Sequence, residues 1–260
     1  MRFILAIVFS FIFSASFAQQ STLESLDSIN NGRDLSSVGR LSFDNGAGFC
    51  TATLIEPDLI LTAAHCLFDA QTGREFDIDG FEFQAGFRNG RAEAYRKIRE
   101  ARADPDYRFD TKVTIERIKH DIALLRLQTP IKNPLIPPLA ISSLPAAGEN
   151  VGVISYARGR MNAPSVQNTC RVTARQDGVL IMNCDVDFGA SGSPVFVIGP
   201  DGITVVSVVS AMAELGGKKV SLGTSLLDAI TEINARLYPT DDLNGNSTRR
   251  RDTGAKFARP

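Results

Sequence analysis

Residues 194–212 read PVFVIGPDGITVVSVVSAM, from Pro194 to Met212. Two runs dense in Val and Ile flank Gly199-Pro200-Asp201-Gly202, a tetrapeptide whose residues favour reversal of the chain. β-branched side chains fit a pleated strand better than a helix, so the stretch reads as two buried strands joined by a hairpin. The same turn breaks an apolar run that would otherwise be long enough to suggest a membrane span. Outward from the hairpin the pattern repeats. Phe49 to Ile55, Leu59 to Thr62, Phe81 to Gln84, Ile122 to Leu127, Val151 to Tyr156 and Val179 to Met182 are further short apolar or alternating runs with turn residues between them. Such spacing predicts an all-β sandwich or barrel rather than alternating strands and helices. Near the end, Leu227, Ile230, Ile233 and Leu237 recur three or four residues apart, with Asp228, Glu232 and Arg236 among them. That period predicts a short amphipathic C-terminal helix. Pro130, Pro134, Pro137, Pro138 and Pro145 each remove an amide donor that a central strand needs. Residues 129–147 are therefore expected to link two β units, 37–128 and 148–237, and the polar, then basic, residues 238–260 to form a flexible tail.

The composition, 260 residues with 43% hydrophobic and 22% charged, is that of a folded globular chain. With 28 basic and 29 acidic residues the formal charge is -1, so no global field gathers nucleic acid or an anionic membrane. Two His exclude a metal site built on three imidazoles. Met1 and Arg2 precede an apolar run from Phe3 to Phe13, followed by the small-x-small site Ser16-Phe17-Ala18. Residues 1–18 therefore read as a secretory signal peptide; a membrane anchor would need about 20 apolar residues. Residues 19–36 are left as an N-terminal segment or a propeptide. In an exported chain Cys50, Cys66, Cys170 and Cys184 read as two disulfides with three possible pairings, rather than as a thiolate metal site. No metal and no cofactor are expected.

Three short motifs carry chemistry. Thr62-Ala63-Ala64-His65-Cys66 follows an apolar run, and a His fixed at a strand end can serve as a general base. In His120-Asp121-Ile122-Ala123-Leu124-Leu125, an Asp leading into a buried strand can set a carboxylate beneath an imidazole, fixing its tautomer. In Gly189-Ala190-Ser191-Gly192-Ser193-Pro194 the glycines permit a tight turn that projects a hydroxyl and aims backbone N–H groups at one point.

Taken together and in this order, the motifs resemble those of the trypsin/chymotrypsin-like serine proteases, in particular the exported bacterial branch. The resemblance runs from about Val38 to Leu237. It implies two six-stranded antiparallel β-barrels, the first supplying His65 and Asp121 and the second Ser191. Ser191 would be the nucleophile, His65 the base and Asp121 its orienting partner, with the N–H groups of Gly189 and Ser191 forming the oxyanion hole. Ser193 is the rival nucleophile and His120 the rival base. The resemblance also implies the pairing of Cys50 with Cys66, leaving Cys170 with Cys184. Ala190 stands where trypsin-like zymogens carry the Asp that receives a newly cut N-terminus, so the oxyanion loop is expected not to depend on that switch. Asp185 lies six residues before Ser191, the interval at which trypsin-like enzymes place the acid that binds Arg or Lys. Ser210-Ala211-Met212 stands in place of the usual Ser-Trp-Gly pocket wall, where Met212 would narrow a deep pocket.

The function so implied is that of a secreted serine endopeptidase, extracellular or periplasmic, acting through an acyl-enzyme and directed by Asp185 to Arg or Lys. A monomer acting on a protein or peptide is expected, with no nucleic acid partner and no membrane span once the leader is removed. Two other readings are a catalytically inactive protease-fold binding protein and an esterase on another fold. The esterase reading needs Gly-x-Ser-x-Gly at a strand-to-helix turn and the order Ser, Asp, His, whereas here Ser comes last and a strand follows it.

Overall fold

A computed structural model describes residues 23–26, 35–200 and 202–238. The expected signal peptide, much of the 19–36 segment and the tail beyond Tyr238 lie outside the described residues. The strands, in chain order, begin with β1 (Glu24–Ser25), β2 (Val38–Phe43), β3 (Gly48–Glu56), β4 (Leu59–Thr62), β5 (Glu82–Ala85), β6 (Ala94–Ala103) and β7 (Ala123–Leu127). They continue with β8 (Ala140–Ile141), β9 (Asn150–Ala157), β10 (Arg160–Gln176), β11 (Val179–Met182), β12 (Pro194–Gly199), β13 (Gly202–Leu215) and β14 (Lys218–Thr224). The helices are α1 (Ile115–Lys119) and α2 (Leu227–Leu237).

Strands β2-β3-β4-β7-β6-β5 close into an antiparallel barrel. The second sheet has eight strands, six of which pair in a ring, β9-β10-β11-β14-β13-β12 and back to β9. The opening hairpin is β12 and β13, paired from Pro194↔Val208 to Gly199↔Gly202. The all-β, two-barrel expectation is thus met, and the amphipathic period at the end forms α2.

Every residue of β4 is buried, because alternate side chains serve different cores. Ile60 points into its own barrel, while Leu59 and Leu61 face the other unit. Leu124 and Leu125 of β7 divide in the same way. The seam between the barrels packs these residues with Ile154, Phe196 and Val208, and α2 covers it through Ile233 and Leu237. Burial on two faces explains why these strands read as continuous apolar runs rather than as alternation.

The seam also holds the chain's N-terminal strand. Glu24 and Ser25 pair with Val166 and Ser165, the Leu26 amide donates to Pro164 O at 2.9 Å, and Arg88 Nε donates to Leu26 O at 2.9 Å. Leu26 is only 2% exposed. Residues 24–26 are therefore part of the fold, and a cut that removed everything up to residue 36 would take this strand with it. Leu26→Ala is expected to lower stability by about 2–5 kcal/mol, the range for a buried Leu truncation, with a matching fall in Tm on thermal unfolding.

Two disulfides, Cys50–Cys66 and Cys170–Cys184, are formed. The first joins β3 to the tight turn Ala64–Leu67 that carries His65, and the second joins β10 to the segment that follows β11. With sequence separations of 16 and 14, each stabilises the fold by about 3 kcal/mol in a chain-entropy account.

Candidate active site

His65 and Asp121 meet because β4 and β7 are antiparallel neighbours, with Thr62 opposite Ala123. The chain leaving the end of β4 and the chain entering the start of β7 emerge together. His65 Nδ1 lies 2.7 Å from Asp121 Oδ2, and the His65 backbone N–H donates to Oδ1 at 2.8 Å. Ser210 Oγ, from β13 of the other barrel, also donates to Oδ2. Asp121 is fully buried. Burial is the strongest single influence on its carboxyl and pushes the pKa up. The facing His65 ring, the ring's hydrogen bond, the Ser210 hydroxyl and the His65 amide together outweigh it and hold the pKa below the ordinary 3.8. The ionised carboxylate fixes the His65 proton on Nδ1 and leaves Nε2 free to accept another.

A carboxyl whose pKa is lower folded than unfolded contributes stability that is present above the unfolded value and lost as pH falls through the folded one. The Tm difference between wild type and Asp121→Asn should therefore be widest near neutrality and narrow below about pH 4, as read by thermal unfolding across a pH series.

The Ser191 loop is fixed one peptide plane at a time. Phe188 O accepts the Arg158 N–H at 2.8 Å, and Ala190 O accepts the Ser193 N–H at 3.0 Å. A trans peptide points its N–H opposite its C=O, so these bonds turn the Gly189 and Ser191 N–H groups the other way. Neither N–H has a partner among the described residues. Between them, Thr51 Oγ1 donates to Gly189 O at 3.0 Å and the Ala190 N–H donates to Asp187 O at 2.9 Å. The Thr51 N–H donates to Ser191 O at 2.9 Å, and the Gly192 N–H to Val209 O at 2.8 Å. Gly189 takes φ +95°, where a Cβ would meet the Phe49 ring at 2.6 Å. Gly192 takes φ +75°, and a Cβ there would run into Thr62 Oγ1 and the backbone of Thr51 and Ala63. Both positions require glycine. Ala190 is 1% exposed among apolar neighbours, and the loop holds its shape through these hydrogen bonds with no ion pair at that position.

Ser191, His65 and Gly189 line one cleft of about 1010 Å³ between the barrels. Ser210 and Met212 line it as well, so the sequence-derived wall residues reach the cleft, although the hydroxyl of Ser210 is turned to Asp121. Ser193 is fully buried, with its Oγ unpartnered, and is not in the cleft lining. His120 is held by Asp104 Oδ1 at 3.1 Å from Nδ1 and by Glu116 Oε1 at 3.3 Å from Nε2. The Asp104, Asp106 and His120 grouping is the nearest approach to a metal-ligand set outside the disulfide region among the described residues, and both His120 nitrogens are already engaged there.

Asp185 was expected at the base of the substrate pocket, but it is exposed and absent from the cleft lining. Cys184 and Val186 on either side are buried, so in this extended stretch the side chain between them turns outward. Its amide donates to Gln167 Oε1 at 2.8 Å, and its carboxylate, like that of Asp187, lies within electrostatic reach of the half-buried Arg160 guanidinium.

Two roles were not visible in the sequence: the bond from Ser210 to Asp121, and the bonds from Thr51 to the Ser191 loop. A buried hydroxyl beside a half-cystine was the signal available for Thr51, but it does not reveal a partner 138 residues away.

A profile of the trypsin-like peptidase domain matches residues 47–202. The chain belongs to the trypsin-like peptidase family. Among curated proteins, venom plasminogen activator LV-PA of Lachesis muta muta is 34% identical over 119 residues, 44% of this chain and 40% of its own length. The modular serine protease of Drosophila melanogaster is 30% identical over 126 residues, 46% of this chain and 19% of its own length. The matched regions thus span less than half of either relative. Among solved structures, a Glu endopeptidase in complex with MPD superposes with TM-score 0.67 at 19% identity, covering 83% of this chain and 95% of that one. A thermostable serine protease, AL20, from an extremophilic microorganism superposes with TM-score 0.60 at 18% identity, covering 79% and 98%. At these identities the likeness is one of fold. Among the described residues, no helix is long and apolar enough to cross a membrane.

Proposed function

We propose that this trypsin-like peptidase family member is an exported serine endopeptidase using Ser191, His65 and Asp121. The observation that carries the reading is the cleft where an Asp121-oriented imidazole and two unpartnered, outward-turned N–H groups flank one serine. Ser191 Oγ attacks the scissile carbonyl, and His65 Nε2 takes its proton. As the tetrahedral oxygen gains charge, the Gly189 and Ser191 N–H groups bind it, each donor contributing about 3–4 kcal/mol at the transition state. Collapse to the acyl-enzyme expels the amine, protonated by His65, and water reverses the sequence through the same base.

The substrate backbone has a natural seat. Past Val209, whose backbone bonds the Ser191 loop, the segment of β13 from Ser210 to Leu215 has β14 as its one strand partner among the described residues and borders the cleft at Ala211 and Met212. An extended peptide can add to that edge. Val186, Val209, Ala211 and Met212 line the nearby walls. Asp185 and Asp187 are both within electrostatic reach of Arg160, so neither of these two carboxylates stands alone to select a cation. The side chain next to the cleaved carbonyl is therefore proposed to be apolar, in place of the Arg or Lys suggested by sequence spacing. Export, to the extracellular space or a periplasm, is supported by the leader-like residues 1–18 and by two disulfides.

The test is a fluorophosphonate probe followed by a peptide library varied at the residue before the cleaved bond. Labelling of Ser191 with fastest cleavage after Leu, Met or Phe is expected. Fastest cleavage after Arg or Lys would overturn the pocket assignment, and absence of labelling would favour an inactive binding protein.

A further inference from the structure

We infer that Thr51 is the positioning residue of the oxyanion loop, reaching across from the first barrel to hold Gly189 in its working orientation. This rests on the proposed roles of Ser191 and Gly189.

Thr51 sits on β3 beside the half-cystine Cys50 and has no exposed surface. Its hydroxyl has one proton to give and lone pairs to receive. Both capacities are used on the second barrel: Oγ1 accepts the Tyr156 N–H at 3.1 Å and donates to Gly189 O at 3.0 Å, the nearer of the two carbonyls in reach, Tyr156 O lying at 3.5 Å. The backbone N–H of the same residue donates to Ser191 O at 2.9 Å. Thr51 thus grips two carbonyls of the nucleophile loop, on either side of Ala190.

Gly189 needs such a grip more than most residues. With no Cβ and φ at +95°, its own torsions do little to confine it. The Gly189 carbonyl lies in the peptide plane between those of the Gly189 and Ser191 N–H groups, so a rotation of that plane strains the two on either side and disturbs the convergence of the donors on one oxygen. Each neighbouring plane has a bond of its own, from Arg158 to Phe188 O and from Ser193 to Ala190 O. The plane of the Gly189 carbonyl and the Ala190 N–H lies between them: Asp187 O holds its N–H from within the loop, and the Thr51 hydroxyl holds its carbonyl from the other barrel. The donor side of that bond is shielded, because Thr51 has no exposed surface, while Gly189 borders the cleft.

The position of Thr51 also ties catalysis to barrel docking. Thr62 Oγ1, from β4, donates to Thr51 O at 2.8 Å, so Thr51 is fixed within the first barrel while its hydroxyl and amide bond the second. The oxyanion site is then complete only when the barrels are seated against each other. A hydrogen bond across the seam does here what an ion pair at position 190 cannot, since Ala190 has no charge to offer.

The test compares Thr51→Val, which removes the hydroxyl at nearly constant volume, with Thr51→Ser, which keeps it, in the complete protein. Active sites are titrated with a fluorophosphonate so that kcat is expressed per reactive Ser191. Thr51→Val is expected to lower kcat by about 10- to 100-fold, the scale of losing one buried hydrogen bond, with KM little changed. Affinity for a peptidyl aldehyde, whose adduct places an oxygen between the two N–H groups, should fall in parallel, and Thr51→Ser should recover most of both. If Thr51→Val does not fold, Thr51→Ala is read in its place. The inference is overturned if kcat stays within about twofold, if only KM changes, if Ser does not rescue, or if every variant lacking the hydroxyl fails to fold. Absence of labelling in the wild type would instead overturn the serine-hydrolase reading on which it rests, and the inference with it.

Discussion

Ser191→Ala is expected to abolish fluorophosphonate labelling and to lower kcat by about a million-fold, the scale on which removal of a nucleophilic serine acts in such triads. The fold should be untouched. Ser191 is partly exposed in the cleft, and the contacts that hold its loop are made by its backbone carbonyl and by neighbouring residues. Thermal unfolding of the variant should therefore match wild type. Ser193→Ala is the informative companion. The Ser193 hydroxyl is buried without a partner, so its removal relieves an unmet polar group and should leave labelling intact. If Ser193→Ala lost the label and Ser191→Ala kept it, the assignment of the nucleophile would be reversed.

Asp121→Asn should produce the second largest loss, about 10⁴-fold in kcat at neutral pH. The carboxylate receives three donors: the His65 backbone N–H, the His65 ring and the Ser210 hydroxyl. An asparagine offers one acceptor oxygen and an NH₂ that must face at least one of these donors. The simplest relief is for His65 to move its proton from Nδ1 to Nε2, where it can no longer accept one from Ser191. Wild-type KM with a collapsed kcat is the expected signature. A kcat within tenfold of wild type would show that the imidazole is oriented by something other than Asp121.

How far the site was legible depended on how local each part was. His65, Asp121 and Ser191 each stand in a motif of a few residues, and the chain order of those motifs can be read directly. Asp185 was equally legible by spacing, yet it is exposed and does not line the cleft. An interval of six residues fixes distance along the chain but not the side on which a side chain emerges, and the buried neighbours Cys184 and Val186 turn Asp185 outward. Thr51 carried no motif at all, because its role is made by a single bond to a residue in the other barrel.

The fold followed the same rule. The strands buried on both faces, such as β4 and β7, were visible as apolar runs. β6, Ala94–Ala103, was not, since Ile98 is its one buried residue and charged side chains occupy much of the rest. Its place is set by backbone pairing with β5 and β7, which leaves no mark on side-chain composition. The five-residue α1 is too short to show a helical period. It is held by Ile118 packing against Val179, Val220 and Leu222 of the second barrel.

By itself the sequence determined an all-β chain of two units, the chain order of His65, Asp121 and Ser191 to which the proposed roles attach, and glycines where the Ser191 loop turns back on itself. These are properties of residue type and local spacing, which the sequence contains in full. The tertiary structure decided which way each group points: Asp185 out of the cleft, the Ser210 hydroxyl toward Asp121, and the Gly189 and Ser191 N–H groups away from the bonds that pin their peptide planes. Those directions depend on backbone torsions and on hydrogen bonds between barrels, formed by residues far apart in the chain that meet only when the two barrels dock.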